Sequence, residues 1–185
     1  MERKEALNYI TAKIKEGQTK NSVYKELLPK VPFKSDLLSY MAEIPDLEAM
    51  KQVKTLNVAL LAALVILIIL HSIEAVLIFQ NAESIHIPWL VLGGWFYFIL
   101  PLVLFFVVFQ ILKYRRTGYA TFFLYAILML AQITRDHGSL ITWGYLYIPW
   151  IVSIVLTVLV LKKAFPYHRF FKRLDQNKLE ADLQQ

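Results

Sequence analysis

The stretch NVALLAALVILIILHSIEAVLIF, residues 57–79, decides the fold. Between Val58 and Leu70 it carries no polar side chain. A helix rising ~1.5 Å per residue needs ~20 mostly apolar residues to cross ~30 Å of hydrocarbon. Residues 57–79 therefore read as a membrane-spanning helix. Three further apolar runs follow, over about 87–112, 118–134 and 142–161. Hydrocarbon offers backbone amides no partner, so each run is expected to be a helix rather than an open strand. The expected fold class is all-α: a polytopic membrane protein with a four-helix transmembrane bundle and a small N-terminal cytoplasmic head.

The rest of the chain agrees with that reading. Of 185 residues, 57% are hydrophobic and 18% charged, against ~45–50% and ~25% in soluble domains. Mean hydropathy is +0.49. The surplus is concentrated in the four runs, which divides the chain into a head at 1–54, a bundle at 55–163 and a basic, aromatic tail at 164–185. There is no cysteine, which excludes disulfides, thiolate catalysis and cysteine-ligated metals.

Positive charge orients the spans. Ten Lys and Arg lie in residues 1–56, none between Gln80 and His86, and three (Lys113, Arg115, Arg116) follow the second run. Only Arg135 follows the third run, and six lie beyond Leu161. Short basic loops stay cytoplasmic, so both termini are expected in the cytoplasm. The net charge of +6 then serves topology and anionic lipid, and no nucleic-acid partner is expected. Met1-Glu2-Arg3-Lys4 opens onto a polar helix, so the first span is expected to act as an uncleaved insertion signal. Size and the absence of glycosylation or targeting signals point to a bacterial inner membrane.

Within the head, Ala6, Leu7, Ile10 and Ile14 recur at helical spacing before Gly17, a C-terminal cap. Asn21 or Ser22 is expected to cap a second helix and Ser35 a third. A fourth helix is expected to begin with Pro45 at its first position and Asp46 beside it. Nothing breaks the sequence between Asp46 and the first span, so that helix is expected to enter the membrane uninterrupted. With ten basic and eight acidic side chains, the head is expected to dock a cytoplasmic protein partner rather than DNA.

The spans carry a few unusual residues. Pro101 lies inside the second and is expected to kink it. Ile87-Pro88-Trp89-Leu90-Val91 and Ile148-Pro149-Trp150-Ile151-Val152 nearly repeat, which would mark a duplicated hairpin with the fourth span starting near Tyr147. Without duplication, that span starts near Leu140 and contains Pro149. Trp89 and Trp143 suit the outer membrane boundary, and Tyr114, Tyr119, Phe165 and Tyr167 the inner one.

The residues that point to chemistry are His71 and Glu74. Three apart, they share a helix face about two-thirds across the first span. A carboxylate there costs at least ~2.5 kcal/mol, so it needs a partner, a proton or water. Gln132, Arg135, Asp136 and His137 end the third run at similar depth, and Glu83 and His86, in the first outer loop, are expected in the same outer half. Four readings are open for this polar cluster. One is a Glu74–Arg135 clamp fixing helix register. Another is an outward cavity for a solute, ion or proton. The third is a metal site built on His71-x-x-Glu74. The last is catalysis, which no motif supports. No cofactor and no metal are expected, and no enzymatic activity. In the tail, aromatic and basic residues alternate from Phe165 to Leu174, as in a helix lying on the inner leaflet. The polar end beyond Lys178 is expected to fray. The expected function is a non-enzymatic adaptor, regulator or accessory subunit in the lipid bilayer. The other reading is a small homo-oligomeric transporter or channel using the polar cluster.

Overall fold

The computed structural model describes the backbone of residues 2–85, 88–133, 140–167 and 174–184, and the side chains of these outside 78–79, 81–98, 100, 131–133, 140–146 and 184. The described residues form eight helices and no strand. Four belong to the head: α1 (Arg3–Lys15), α2 (Lys20–Leu27), α3 (Lys34–Glu43) and, from the far end of the chain, α8 (Gln176–Gln184). Between them run four longer ones: α4 (Leu47–Ile85), α5 (Pro88–Leu112), α6 (Arg116–Ile133) and α7 (Leu140–Ala164).

The long helices pack in a ring, α4 on α5, α5 on α6, α6 on α7 and α7 back on α4. Short connections make chain neighbours antiparallel, the up-and-down bundle arrangement. Each helix turns one stripe inward. On α4 the stripe is Val53, Asn57, Leu60, Leu64, Leu67, His71 and Ala75, all buried, spaced three or four residues apart as a single helix face requires. The opposite faces are apolar too, and they are exposed: Ile66, Ile69 and Ile73 on α4, Leu102 and Phe105 on α5, Leu128 on α6, Ile148 and Val155 on α7. Among the described residues, two segments are long and apolar enough to cross a membrane, Leu47–Leu77 and Tyr147–Ala164, with only 28% and 33% of their most apolar windows buried. Pro101–Leu112 and Arg116–Leu130 are shorter apolar helices.

Several local expectations are corrected. The first apolar run continues as helix to Ile85, so Gln80–Ile85 is the last turns of α4 rather than a loop. Pro88 opens α5, whereas Pro149 lies inside α7, which begins at Leu140. The two near-identical pentapeptides therefore occupy different local structure, against a duplicated hairpin. Thr19, not Asn21 or Ser22, caps α2 by accepting from the Ser22 amide at 3.3 Å. Phe33 precedes α3 in place of Ser35. α4 begins at Leu47, one position beyond Asp46, whose carbonyl accepts from the Met50 amide. Gly17 has the positive φ (+93°) expected of a C-terminal cap.

The tail does not fray. Leu179 and Leu183, four apart on α8, are buried in the head core with Ile10, Leu27, Leu37 and Met41. Leu174 and Tyr167 pack against the same core. Tyr167 also faces the Lys20 ammonium, 5.9 Å from the ring centre, and burial, with a hydrogen bond to Asp182 behind it, pushes its hydroxyl up to about 12. The alternating basic residues between Tyr167 and Leu174 lie outside the described part. Burial likewise pulls Lys20 below the usual lysine range despite Asp46 at 3.6 Å.

Candidate functional site

Two places bring polar chemistry together: the middle of the bundle and the seam where the head meets it.

In the bundle, the inward stripe of α4 carries His71 against α7. Its Nδ1 lies 2.9 Å from Glu74 Oε2, the i, i+3 pairing that the shared helix face allows. His71 is 2% exposed, and the Glu74 side chain 22%. An ionised Glu74 accepts from Nδ1 and leaves Nε2 as the open position of the ring. The imidazole centre sits 5.6 Å from the Trp150 ring. Trp150, fully buried on α7, stacks on Phe122 at 5.9 Å and 8° and meets Tyr125 at 5.7 Å. Ser153, one turn further along α7, is also fully buried. Thr157 follows it and donates back to the Ser153 carbonyl at 2.7 Å. Among the described residues, His71 Nε2, Trp150 Nε1, Ser153 Oγ and Tyr125 Oη are buried without a hydrogen-bond partner. Buried polar atoms are nearly always paired, with protein or with water, so four such atoms on three facing helices are an uncommon grouping for a bundle interior.

The sequence-derived cluster is thus partly assembled. His71 and Glu74 come together, with each other as partners. Gln132 lies in the last turn of α6, but its side chain is outside the described part. Arg135, Asp136 and His137 fall outside the described residues, as does His86, so the expected Glu74–Arg135 clamp is not among the described contacts. Among the described residues, no three His, Asp or Glu side chains gather as metal ligands would. Sequence reasoning missed Trp150, Tyr125 and Ser153. Ser153 and Thr157, four apart in an otherwise apolar run, were the signal that α7 turns a polar stripe inward.

At the seam, Glu43 ends α3 and is only 7% exposed. Its Oε1 accepts from the Thr117 amide at 2.8 Å, placing a carboxylate on the positive end of α6. Arg115 Nη2 donates to Asn8 Oδ1 of α1 at 2.9 Å. Tyr114, with a left-handed φ of 52°, packs against both the bundle core and the head core. Gly118 allows α6 to lie against α5: a Cβ there would stand 2.6 Å from Gln110 Cβ. Tyr119, expected as a lipid-facing anchor, is fully buried instead and donates to Asn57 Oδ1 at 2.6 Å. Phe165, also expected at the boundary, packs on the Tyr119 ring at 5.8 Å. The Tyr119 ring can enter the core because Asn57 satisfies its hydroxyl there, and Phe165 has no polar group to satisfy.

Comparison with family models, with curated proteins and with solved structures finds no match to this chain.

Proposed function

We propose that this chain is a four-span protein of a bacterial inner membrane, both ends in the cytoplasm, acting as a non-enzymatic adaptor or regulatory subunit. The apolar outer faces of α4 to α7 support the membrane placement, since a soluble protein rarely exposes contiguous apolar surface on this scale. The 25 residues of α5 and of α7 reach ~37 Å each, enough to cross the ~30 Å hydrocarbon core, while the 18 of α6 reach ~27 Å, within the ~17–25-residue range of spanning helices but about two residues short of the full core. A chain with no cysteine makes the topology simple to test. A membrane-impermeant maleimide applied to intact cells should label Glu83→Cys and spare Lys25→Cys; labelling of Lys25→Cys from outside overturns the orientation.

The observation that carries the adaptor reading is the mechanical continuity of head and bundle. α4 runs 39 residues without interruption from the head into the apolar region. Glu43 and Asn8 grip the α5–α6 connection as well. A load on the head therefore reaches two bundle helices and the turn between them. The head's exposed apolar side chains, Phe33 at 65% and Leu28 at 44%, flank the α2–α3 turn, where a partner protein can engage. Since α8 completes the head core, deleting the N-terminal helices would bare Leu179 and Leu183. Point changes are the cleaner test. Leu28→Glu with Phe33→Glu should remove a specific companion from detergent pull-downs read by mass, with membrane insertion unchanged. An unaltered companion list counts against the adaptor.

The orphaned polar atoms around Trp150 favour a second reading, a small homo-oligomeric transporter or channel in which the His71–Glu74 pair handles a proton or polar solute. Glu74→Gln should then alter solute flux into liposomes or its dependence on pH. Unchanged flux would leave the pair a structural contact.

A further inference from the structure

The seam between head and bundle contains a cleft of about 380 Å³. Its basic side chains are Arg3 and Lys4 from the first turn of α1 and Arg115 from the α5–α6 connection, joined by neutral polar groups of α5 and α6; its apolar wall is Leu7, Phe106 and Val107. No acidic side chain lines it. Glu43, the nearby acid on α3, is already engaged by the Thr117 amide. Asn8 holds the Arg115 guanidinium through Nη2, while Arg115 Nε is buried with no acceptor. The site thus offers three cations, one of them held in place by Asn8, above an apolar floor.

The geometry points to a binding site for an anionic phospholipid of the inner leaflet, its phosphate held by Arg3, Lys4 and Arg115. The inference rests on the membrane placement proposed above. Guanidinium groups suit phosphate because two N–H donors can meet two oxygens at once. The apolar floor favours a lipid over a free phosphate. Phe106 lies six residues before the end of α5, ~9 Å along the helix, the depth at which a headgroup gives way to acyl chain. The floor also continues as an open track: Leu102, Phe106 and Phe109, at i, i+4 and i+7 on α5, are exposed by 68%, 63% and 50%. An acyl chain can leave the cleft along them. Bound there, the lipid would bridge α1 to α5 and tie the head to its membrane.

The test uses the full chain in detergent, titrated with phosphatidylglycerol and, separately, phosphatidylcholine, with bound lipid counted by native mass spectrometry. Phosphatidylglycerol should be retained about tenfold or more in preference, and Arg3→Gln with Lys4→Gln should erase most of that preference, each basic group near a charged lipid surface contributing on that order. Both residues are exposed at the start of α1, so the double variant should fold normally; Arg115→Gln, which also breaks the Asn8 contact, is the second variant. Equal retention of the two lipids overturns the proposal, as does a double variant with undiminished preference. Glycerol phosphate competing as well as the lipid overturns it too, since the site would then read phosphate alone. Detergent binding does not depend on orientation. A failed maleimide test with intact lipid preference would thus indict the topology, and the reverse pattern would indict the cleft.

Discussion

Trp150→Ala is expected to destabilise the bundle by about 3–5 kcal/mol, the range for truncating a large buried aromatic. The indole is fully buried and touches rings from two other helices: His71 of α4, and Phe122 and Tyr125 of α6. With the bundle in lipid, as proposed, apolar burial between helices would gain little from leaving water, so association would depend on packing. Removing the indole forfeits its dispersion contacts and leaves a void that three helices must collapse to fill. Trp150→Phe should cost far less. It keeps most of the stacking surface on Phe122 and deletes an indole N–H that has no hydrogen-bond partner among the described residues. Unfolding of the purified protein by graded addition of a denaturing detergent would rank the three. A Trp150→Ala protein as resistant as the parent would mean that α4, α6 and α7 do not converge on this ring.

Ending the chain after Asp175 is expected to unfold the head and spare the bundle. α8 contributes only two core residues, Leu179 at 1% and Leu183 at 3% exposure, but the head is small. A unit of its size has a stability of only a few kcal/mol, and burying a leucine contributes ~2–5 kcal/mol by the measure of its truncation to alanine. Losing two such residues exceeds what the head has. Limited proteolysis should then cut within α1 to α3 at sites resistant in the full chain, while α4 to α7 remain a protected fragment. Glu180→Gln is the control. It removes the Lys34–Glu180 ion pair, which joins half-exposed side chains and is worth ~0–1 kcal/mol, so the head should survive. If the truncated chain is as protease-resistant as the parent, α8 is an ornament on a head that stands alone.

These two cases also show what the sequence could and could not reveal. The buried face of α1 was legible because Ala6, Leu7, Ile10 and Ile14 repeat with the period of the helix they form. The four apolar runs were legible for the same reason, and their helices begin and end close to where the hydropathy changes; the exception is α4, whose last turns are polar and still helical. α8 was not legible. Two leucines among polar residues give almost no local signal, and what makes them core is a surface built by α2 and α3 more than a hundred positions earlier. Tyr119 failed in the same way: nothing near it indicates that Asn57 will accept its hydroxyl. In the bundle, His71 and Glu74 stood out because ionisable groups are costly in an apolar run. Trp150, Tyr125 and Ser153 carry no such cost on their own, and only the rotation of α6 and α7 about their axes brings them inward.

The order in which the ribosome makes these parts has a consequence for the head. Its first three helices are made before the bundle, yet the apolar socket they form is closed by α8, which is translated only after α4 to α7. Until then the socket stands open. A nascent molecule thus exposes greasy residues to chaperones and proteases until α8 has been made, so closure of the head waits on a segment that follows the whole bundle.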